Sequence, residues 1–438
     1  MGNDGAIMAN YSDIKASGAV VKSYANFAAF PSSGNSAGDL VLASDTGGIY
    51  VWDGSEWDRV ASGADELPVF STEPASSYTL ATDGTATTIS LAATDPEGFA
   101  IIYDHDTTPS NQSQATIVNN NDGTFTVTPS TDSANEGTFS LRFKASDGVN
   151  ISSKTSTMNL LFPVSIEYLM LGGGGAGATA DGSVSAGGGG GAGGYIAGTT
   201  SLDRATVYNI TVGAAGARST ASGNQFGGNG GDTTFNGLTA LGGGGGGKWG
   251  NWGRNGGSGG GGGGRAANST SGGRPGGTGL QPSSASGGYG NNGGASAPGT
   301  GSTDDAGGGG GGAGSFANNQ NAGNGVGGQP GLGRSNSITG TSVRYADGGG
   351  GGAETGNGGS YTGAGRGGGT TYAATTGSNY GSAGGGGGGP NRLGANGKVG
   401  AVFIRTLTTA AATTGSPTVL TDGSYTIYRF TADGSITF

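Results

Sequence analysis

The chain has no cysteine and a single histidine, His105. Disulfides and thiolate metal sites are excluded, and the redox compartment leaves no mark on the sequence. Charged residues are scarce, at 11%. They are also uneven: residues 1–171 carry 20 acidic and 6 basic side chains, residues 172–397 carry 7 and 10. An acidic head without clustered Lys and Arg argues against nucleic-acid binding there. No apolar run approaches the roughly 18 residues of a membrane-spanning helix, so no membrane insertion is expected. The opening MGNDGAIMANYSDIK lacks a basic segment followed by an apolar one, so no cleaved secretory leader is expected.

What is abundant is glycine. It occupies 105 of 438 positions, of which 87 lie in residues 172–397. Runs of four or more recur at 172–175, 187–191, 242–247, 259–264, 307–312, 348–352 and 384–389. Composition alone reads as a flexible linker. Apolar strands bracket the block, however, at SIEYLML (165–171) and KVGAVFIRT (398–406), and others interrupt it at YNITVG (208–213) and TTFNGLTALG (233–242). An ordered block must offset roughly 1–2 kcal/mol of backbone entropy per residue with almost no side chain to bury. That leaves backbone pairing between close-packed extended helices. Polyglycine II has no internal hydrogen bonds, so its N–H and C=O groups must bond laterally to neighbouring rods.

Four segments precede or frame this block. Residues 1–34 read as an attachment arm, weakly helical from Ile14 to Phe27. Residues 35–65 read as a small β-meander built from LVLAS (40–44), GIYVW (48–52) and EWDRV (56–60), with turns at Thr46-Gly47-Gly48 and Asp53-Gly54. Residues 66–162 read as a β-sandwich of about seven strands: 77–81, 87–93, 99–104, 115–119, 124–129, 137–146 and 155–162. Residues 163–438 read as the glycine-rich domain, closing with a C-terminal β-hairpin of YTIYRF (425–430) and SITF (435–438) over Asp433-Gly434. The expected class is all-β throughout.

Two catalytic patterns dissolve on inspection. Gly242–Lys248 fits the first part of a phosphate-binding loop, but Trp249 follows where Ser or Thr is needed, and GNWGRNGG cannot start a helix. Gly256-Gly257-Ser258-Gly259-Gly260 fits a nucleophile elbow, yet the one histidine lies in another segment. No enzyme and no resident cofactor are expected. Asp95, Glu97, Asp104, Asp106 and Asp147 could converge as hard oxygen ligands for Ca²⁺, although solvated turn residues are the preferred reading. Between the glycine runs stand Trp249, Trp252, Tyr289, Phe316, Tyr361, Tyr372 and Tyr380, with Arg254, Arg265, Arg344 and Arg366. Tyr, Trp and Arg on small polar loops suit a recognition surface; equally, the rings could seal the lattice ends. The receptor-binding candidates are Trp249, Trp252, Arg254, Tyr289, Phe316, Tyr361, Tyr372 and Tyr380.

The series IEYLMLGGGGAGA, YNITVGAAG, GGNGGDTTFNGLTALGGGGGG and KVGAVFIRT, over roughly 164–406, resembles the glycine-rich domain of tailed-phage fibre and adhesin proteins. It also resembles the polyglycine II sandwich of tip adhesins on some long tail fibres. SGNSAGDLVLASDTGGIYVWDGSEWDRV resembles a short module of phage virion proteins. AATDPEG (92–98) and KASDGV (144–149) resemble cadherin-like or immunoglobulin-like modules. In the family, a segment like DGSYTIYRFTADGSITF precedes the EYLMLGGGG strand; here it ends the chain, so SITF is expected beside SIEYLML in space. The resemblance implies a non-catalytic, surface-exposed virion fibre or adhesin that binds a host surface glycan or protein. It implies attachment to other virion proteins through the N-terminal region, and a homo-oligomer, commonly a trimer. The alternative is a purely structural virion component, a head fibre or decoration protein without a receptor of its own.

Overall fold

Phe139, Leu141, Phe143 and Ala145 occupy alternate positions of the strand Gly137–Ser146, and all four are buried while their neighbours are not. This period-2 burial is the local cause of a sandwich half. The computed structural model describes residues 21–44, 48–61, 66–180, 185–221, 223–264, 273–297, 305–318, 325–389 and 392–438. The expected arm over residues 1–20, the Thr46-Gly47 part of a turn, and Arg265 lie outside the described residues. The described chain is all-β, with no α-helix and three-residue 3₁₀ turns such as Phe27–Ala29 and Ser133–Asn135. None of its helices is long and apolar enough to cross a membrane. It divides into two compact units, Met1–Phe162 and Pro163–Phe438.

In the first unit, Leu40–Ala43, Ile49–Trp52 and Trp57–Ala61 form an antiparallel meander. Lys22–Tyr24 joins it as a parallel edge strand, so the helical reading of Ile14–Phe27 fails over its described part. Tyr24, Phe30, Tyr50 and Trp57 stack edge to face around that strand, which draws it onto the sheet. Residues 66–162 form two facing sheets and a two-stranded one, Val69–Thr72 with Ala92–Thr94. Of the facing pair, one runs Ser77–Leu80, Ile151–Leu160, Gly137–Ser146, Ile102–Thr108; the other runs Ala115–Asn119, Thr124–Pro129, Thr87–Ser90. Phe125, Val127, Leu141, Phe143 and Met158 fill the space between them.

In the second unit, rod and sheet are one device. Val164–Leu171 pairs antiparallel with Tyr195–Leu202, Leu171 opposite Tyr195. Beyond Leu171 the same register continues without a slip: Gly172, Gly175 and Ala178 donate to the carbonyls of Gly194, Gly191 and Gly188. On the other side Leu171 stands opposite Ala401, and Gly174, Gly177 and Ala180 donate to Lys398, Ala395 and Arg392. A bond to the same neighbour at every third residue is the mark of a threefold helix, and it identifies polyglycine II rods.

The rod at 186–194 lies at the hub. The N–H groups of Gly187, Gly190 and Gly193 bond Gly387, Gly384 and Gly381; those of Gly188, Gly191 and Gly194 bond Gly247, Gly244 and Leu241; those of Gly189 and Ala192 bond Gly308 and Gly311. Its carbonyls accept from Gly172, Gly175 and Ala178, from Ser258, Gly261 and Gly264, and from Gly349 and Gly352. Six rods thus surround one, and the N–H groups of residues 187–194 are all paired. All seven glycine runs read from the sequence lie in this lattice. Its backbone bonds, about 1 kcal/mol net each, roughly balance the entropy of ordering glycine. The surplus therefore comes from the apolar frame.

That frame is two five-stranded sheets. The first runs Tyr195–Leu202, Val164–Leu171, Ala401–Thr406, Tyr425–Phe430, Thr418–Asp422; the second runs Leu238–Ala240, Thr233–Phe235, Tyr208–Thr211, Gly434–Thr437, Ala412–Thr414. Ile166, Met170, Phe235, Ile404, Phe430 and Ile436 share one core between them. The expected hairpin of 425–430 with 435–438 is not formed. Tyr425–Phe430 pairs instead with Thr418–Asp422 and Ala401–Thr406, whereas Gly434–Thr437 crosses to the facing sheet. Asp433 is held there, its carboxylate accepting the Val212 N–H at 2.8 Å. Phe438 and Tyr168 consequently belong to one shared core rather than to one sheet.

Candidate functional site

The lattice must end somewhere, and the outward N–H groups of its rods need partners. Side chains spaced three apart supply them. In Phe226-Gly-Gly-Asn229-Gly-Gly-Asp232, Asn229 accepts from Gly245 N–H at 2.9 Å and Asp232 from Gly242 N–H at 2.7 Å. Asn255, Asn292 and Asn396 do the same for Thr278, Gly279 and Arg218. Such caps were legible in principle, because the triplet spacing of non-glycine residues stands in the sequence.

Of the eight expected receptor-binding residues, two are seals. Trp249 is half-buried and its indole N–H donates to Asp305 Oδ2 at 2.8 Å. Tyr380 packs on Phe403 in the inner core, with centroids 6.0 Å apart. Arg254 lies over Phe226 at 4.8 Å, with Lys248 at 5.3 Å from the same ring, so Phe226 is the anchor of that loop. Tyr289 exchanges two backbone bonds with Tyr195 and carries the Arg334 guanidinium 3.6 Å from its ring centre. Tyr372 is covered by Arg366 at 4.4 Å. Tyr361 is exposed, and Trp252 and Phe316 project furthest, at 63% and 66%.

Phe316 borders a depression of about 460 Å³ whose other walls include Gly279, Pro282, Asn291, Asn292 and Gly293. Gln281, which sequence reasoning passed over, is fully buried behind it. Lys248 is stacked on a ring at the end of a rod rather than at a helix start, and Ser258 is fully buried in the lattice.

The carboxylates of the first unit do not converge. Asp104 and Asp106 stand on Ile102–Thr108 opposite Lys144 and Arg142, and Lys144 Nζ lies 2.8 Å from Asp106. Hydrogen bonds from Arg142 and Lys144 hold the Asp106 carboxyl well below the usual range. Asp95 accepts the Phe99 N–H and Asp147 those of Val149 and Asn150, as turn residues do, while Glu97 accepts the N–H of Glu66 from a distant segment. Among the described residues, no group of three or more acidic or histidine side chains could hold a metal ion. His105 stands edge-on to Phe125 at 5.6 Å.

Among the described residues, Asp347 is an acid of the lattice whose carboxyl burial shifts upward. It is fully buried; Oδ1 accepts from Gly333 N–H at 2.8 Å and Arg344 Nε at 2.7 Å, while Oδ2 has no partner. Burial raises its carboxyl pKa, against the pull of Gly333 and Arg344. A raised folded value means the folded chain holds the proton more tightly than the unfolded one. Its contribution to stability is present below the unfolded value, near pH 4, and is lost as pH rises through the folded one. The melting temperature of Asp347→Asn is therefore expected to fall less than the parent's as pH is raised from about 4. Parallel curves would rule this assignment out.

Comparison with known proteins agrees with the geometry. A cadherin-like domain family matches residues 67–161. A solved structure of Sidekick-1 immunoglobulin domains 1-5 is similar at 12% identity over 39% of this chain, with a TM-score of 0.19, a score too low to assign a fold. The match spans about a third of that structure's length, 34%. No curated protein sequence matches the chain. The glycine-rich domain family matches residues 151–407, more than half of the chain, and includes the rods and the strands that set their register; the chain belongs to the glycine-rich domain family.

Proposed function

We propose that this chain is a non-catalytic phage virion adhesin that presents loops from a backbone-only scaffold to a bacterial surface. The observation that carries the reading is the exposure of large rings, Trp252 and Phe316 above all, on loops of a lattice whose interior has almost no side chains. A rigid platform lowers the entropy lost when such loops bind. Exposed aromatics that nothing in the fold requires are typical of recognition anchors. A second reading, a purely structural virion component, is favoured by Trp249 and Tyr380, whose rings seal the domain.

Competition separates the two. Purified full-length chain is expected to slow adsorption of the particles that carry it. A chain with Trp252, Phe316, Tyr361 and Tyr372 all replaced by Ala is expected to need about tenfold more protein for the same effect. Adsorption unchanged by the parent chain would overturn the adhesin reading in favour of the structural one.

A further inference from the structure

We infer that the depression beside Phe316 is a binding site for one uncharged sugar ring of a surface glycan. Its biological meaning rests on the adhesin reading above, but its chemistry stands on the lining alone. Among the described residues, no acidic or basic side chain contributes to the walls, so neither a phosphate, a carboxylate nor a cation finds a partner in them. The volume of about 460 Å³ falls within the roughly 300–1,000 Å³ typical of small-molecule clefts.

Two polar side chains held by hydrogen bonds line it, Asn291 and Asn292. Asn292 uses Oδ1 to accept the Gly279 N–H at 2.9 Å, which orients the amide and leaves its Nδ2 hydrogens without a partner among the described residues. Asn291 donates Nδ2 to Gly312 O at 2.7 Å, which leaves its Oδ1 with an open lone pair. One wall therefore offers a donor and an acceptor on adjacent residues, the complement of neighbouring hydroxyls. Phe316 supplies an exposed apolar ring against which the C–H face of a pyranose can lie. Between them the wall is glycine, with no side chain to obstruct a flat ring. The floor is pre-organised, because Gly293 and Gly294 are lattice residues bonded to Gly277 and Gly309.

The test is saturation-transfer NMR on the full-length chain. The probes are the methyl glycosides of glucose, galactose and mannose, with N-acetylglucosamine and adenosine alongside. At least one sugar is expected to receive saturation. Phe316→Ala is expected to weaken it about tenfold with unchanged melting, and Asn292→Ala about tenfold with the lower melting temperature of a lost lattice cap, whereas Leu407→Ala, at an exposed position outside the depression, leaves it intact. No transfer to any sugar, transfer to adenosine alone, or full transfer in Phe316→Ala would overturn the inference. Adsorption competition retained by a chain that binds no sugar would sink this site and spare the adhesin reading. Sugar binding by a chain that never competes would do the reverse.

Discussion

Gly190→Val is expected to abolish the cooperative unfolding transition of residues 163–438. Gly190 sits in the hub rod, its N–H bonded to Gly384 and its C=O to Gly349. A Cβ there would come within 3.0 Å of Gly175 O and C and of Ala176 C. These are backbone atoms of a rod that is itself bonded on several sides, so no side-chain rotation relieves the clash. Parting the rods would break lateral bonds at every third residue along both. The penalty exceeds the roughly 5 kcal/mol that marks an exceptional substitution, and it is comparable to a domain's whole stability. Gly310→Val should behave alike, since its Cβ would meet Gly190 O and C. Gly237 supplies the contrast: it has φ +74° in a turn with nothing within 4 Å, so alanine there costs only a left-handed conformation. Calorimetry of the three full-length variants reads the result. A Gly190→Val chain melting like the parent would refute the lattice as the source of order.

The strands of this protein were legible because alternation is local: the buried face of Gly137–Ser146 can be read off four apolar residues. The glycine rods were legible through a bookkeeping of donors, since paired backbone is the only way to order them. Their partners were not. Which rod meets which is set by the register of Val164–Leu171 with Tyr195–Leu202 and Ala401–Thr406, a pairing between residues far apart in sequence. The same blindness explains the misplaced hairpin. Asp433-Gly434 is a sound turn signal, but a turn does not say in which sheet the next strand lands. It also explains the mixed fate of the aromatics. Trp249 becomes a seal only because Asp305, 56 positions on, is brought beneath it. Asp104 and Asp106 allow calcium ligation in the sequence, with solvated turn residues the preferred reading, yet they stand on a strand beside cross-strand Arg142 and Lys144, and no local pattern announced that pairing.

Gln281→Met is expected to destabilise the glycine-rich domain by about 2–4 kcal/mol, although methionine is close in volume and length. The fully buried amide replaces a length of missing rod. Its Oε1 accepts from Leu241 N–H at 2.7 Å, and its Nε2 donates to Gly287 O at 2.5 Å, with Ser284 Oγ at 3.1 Å and Thr239 O at 3.3 Å. Leu241 follows the strand Leu238–Ala240, precedes the rod at 242–247, and accepts at its own carbonyl from the Gly194 N–H of the hub. Methionine would fill the space yet leave the Leu241 N–H and two carbonyls short of partners, at about 1–3 kcal/mol for each group that water cannot reach. Gln281→Glu keeps the acceptor, loses the donors and adds a buried charge, so it should be no better than methionine. Denaturant unfolding of the full chain measures both. A methionine variant within about 0.5 kcal/mol of the parent, the usual effect of an uninvolved surface site, would show that packing rather than pairing holds this corner.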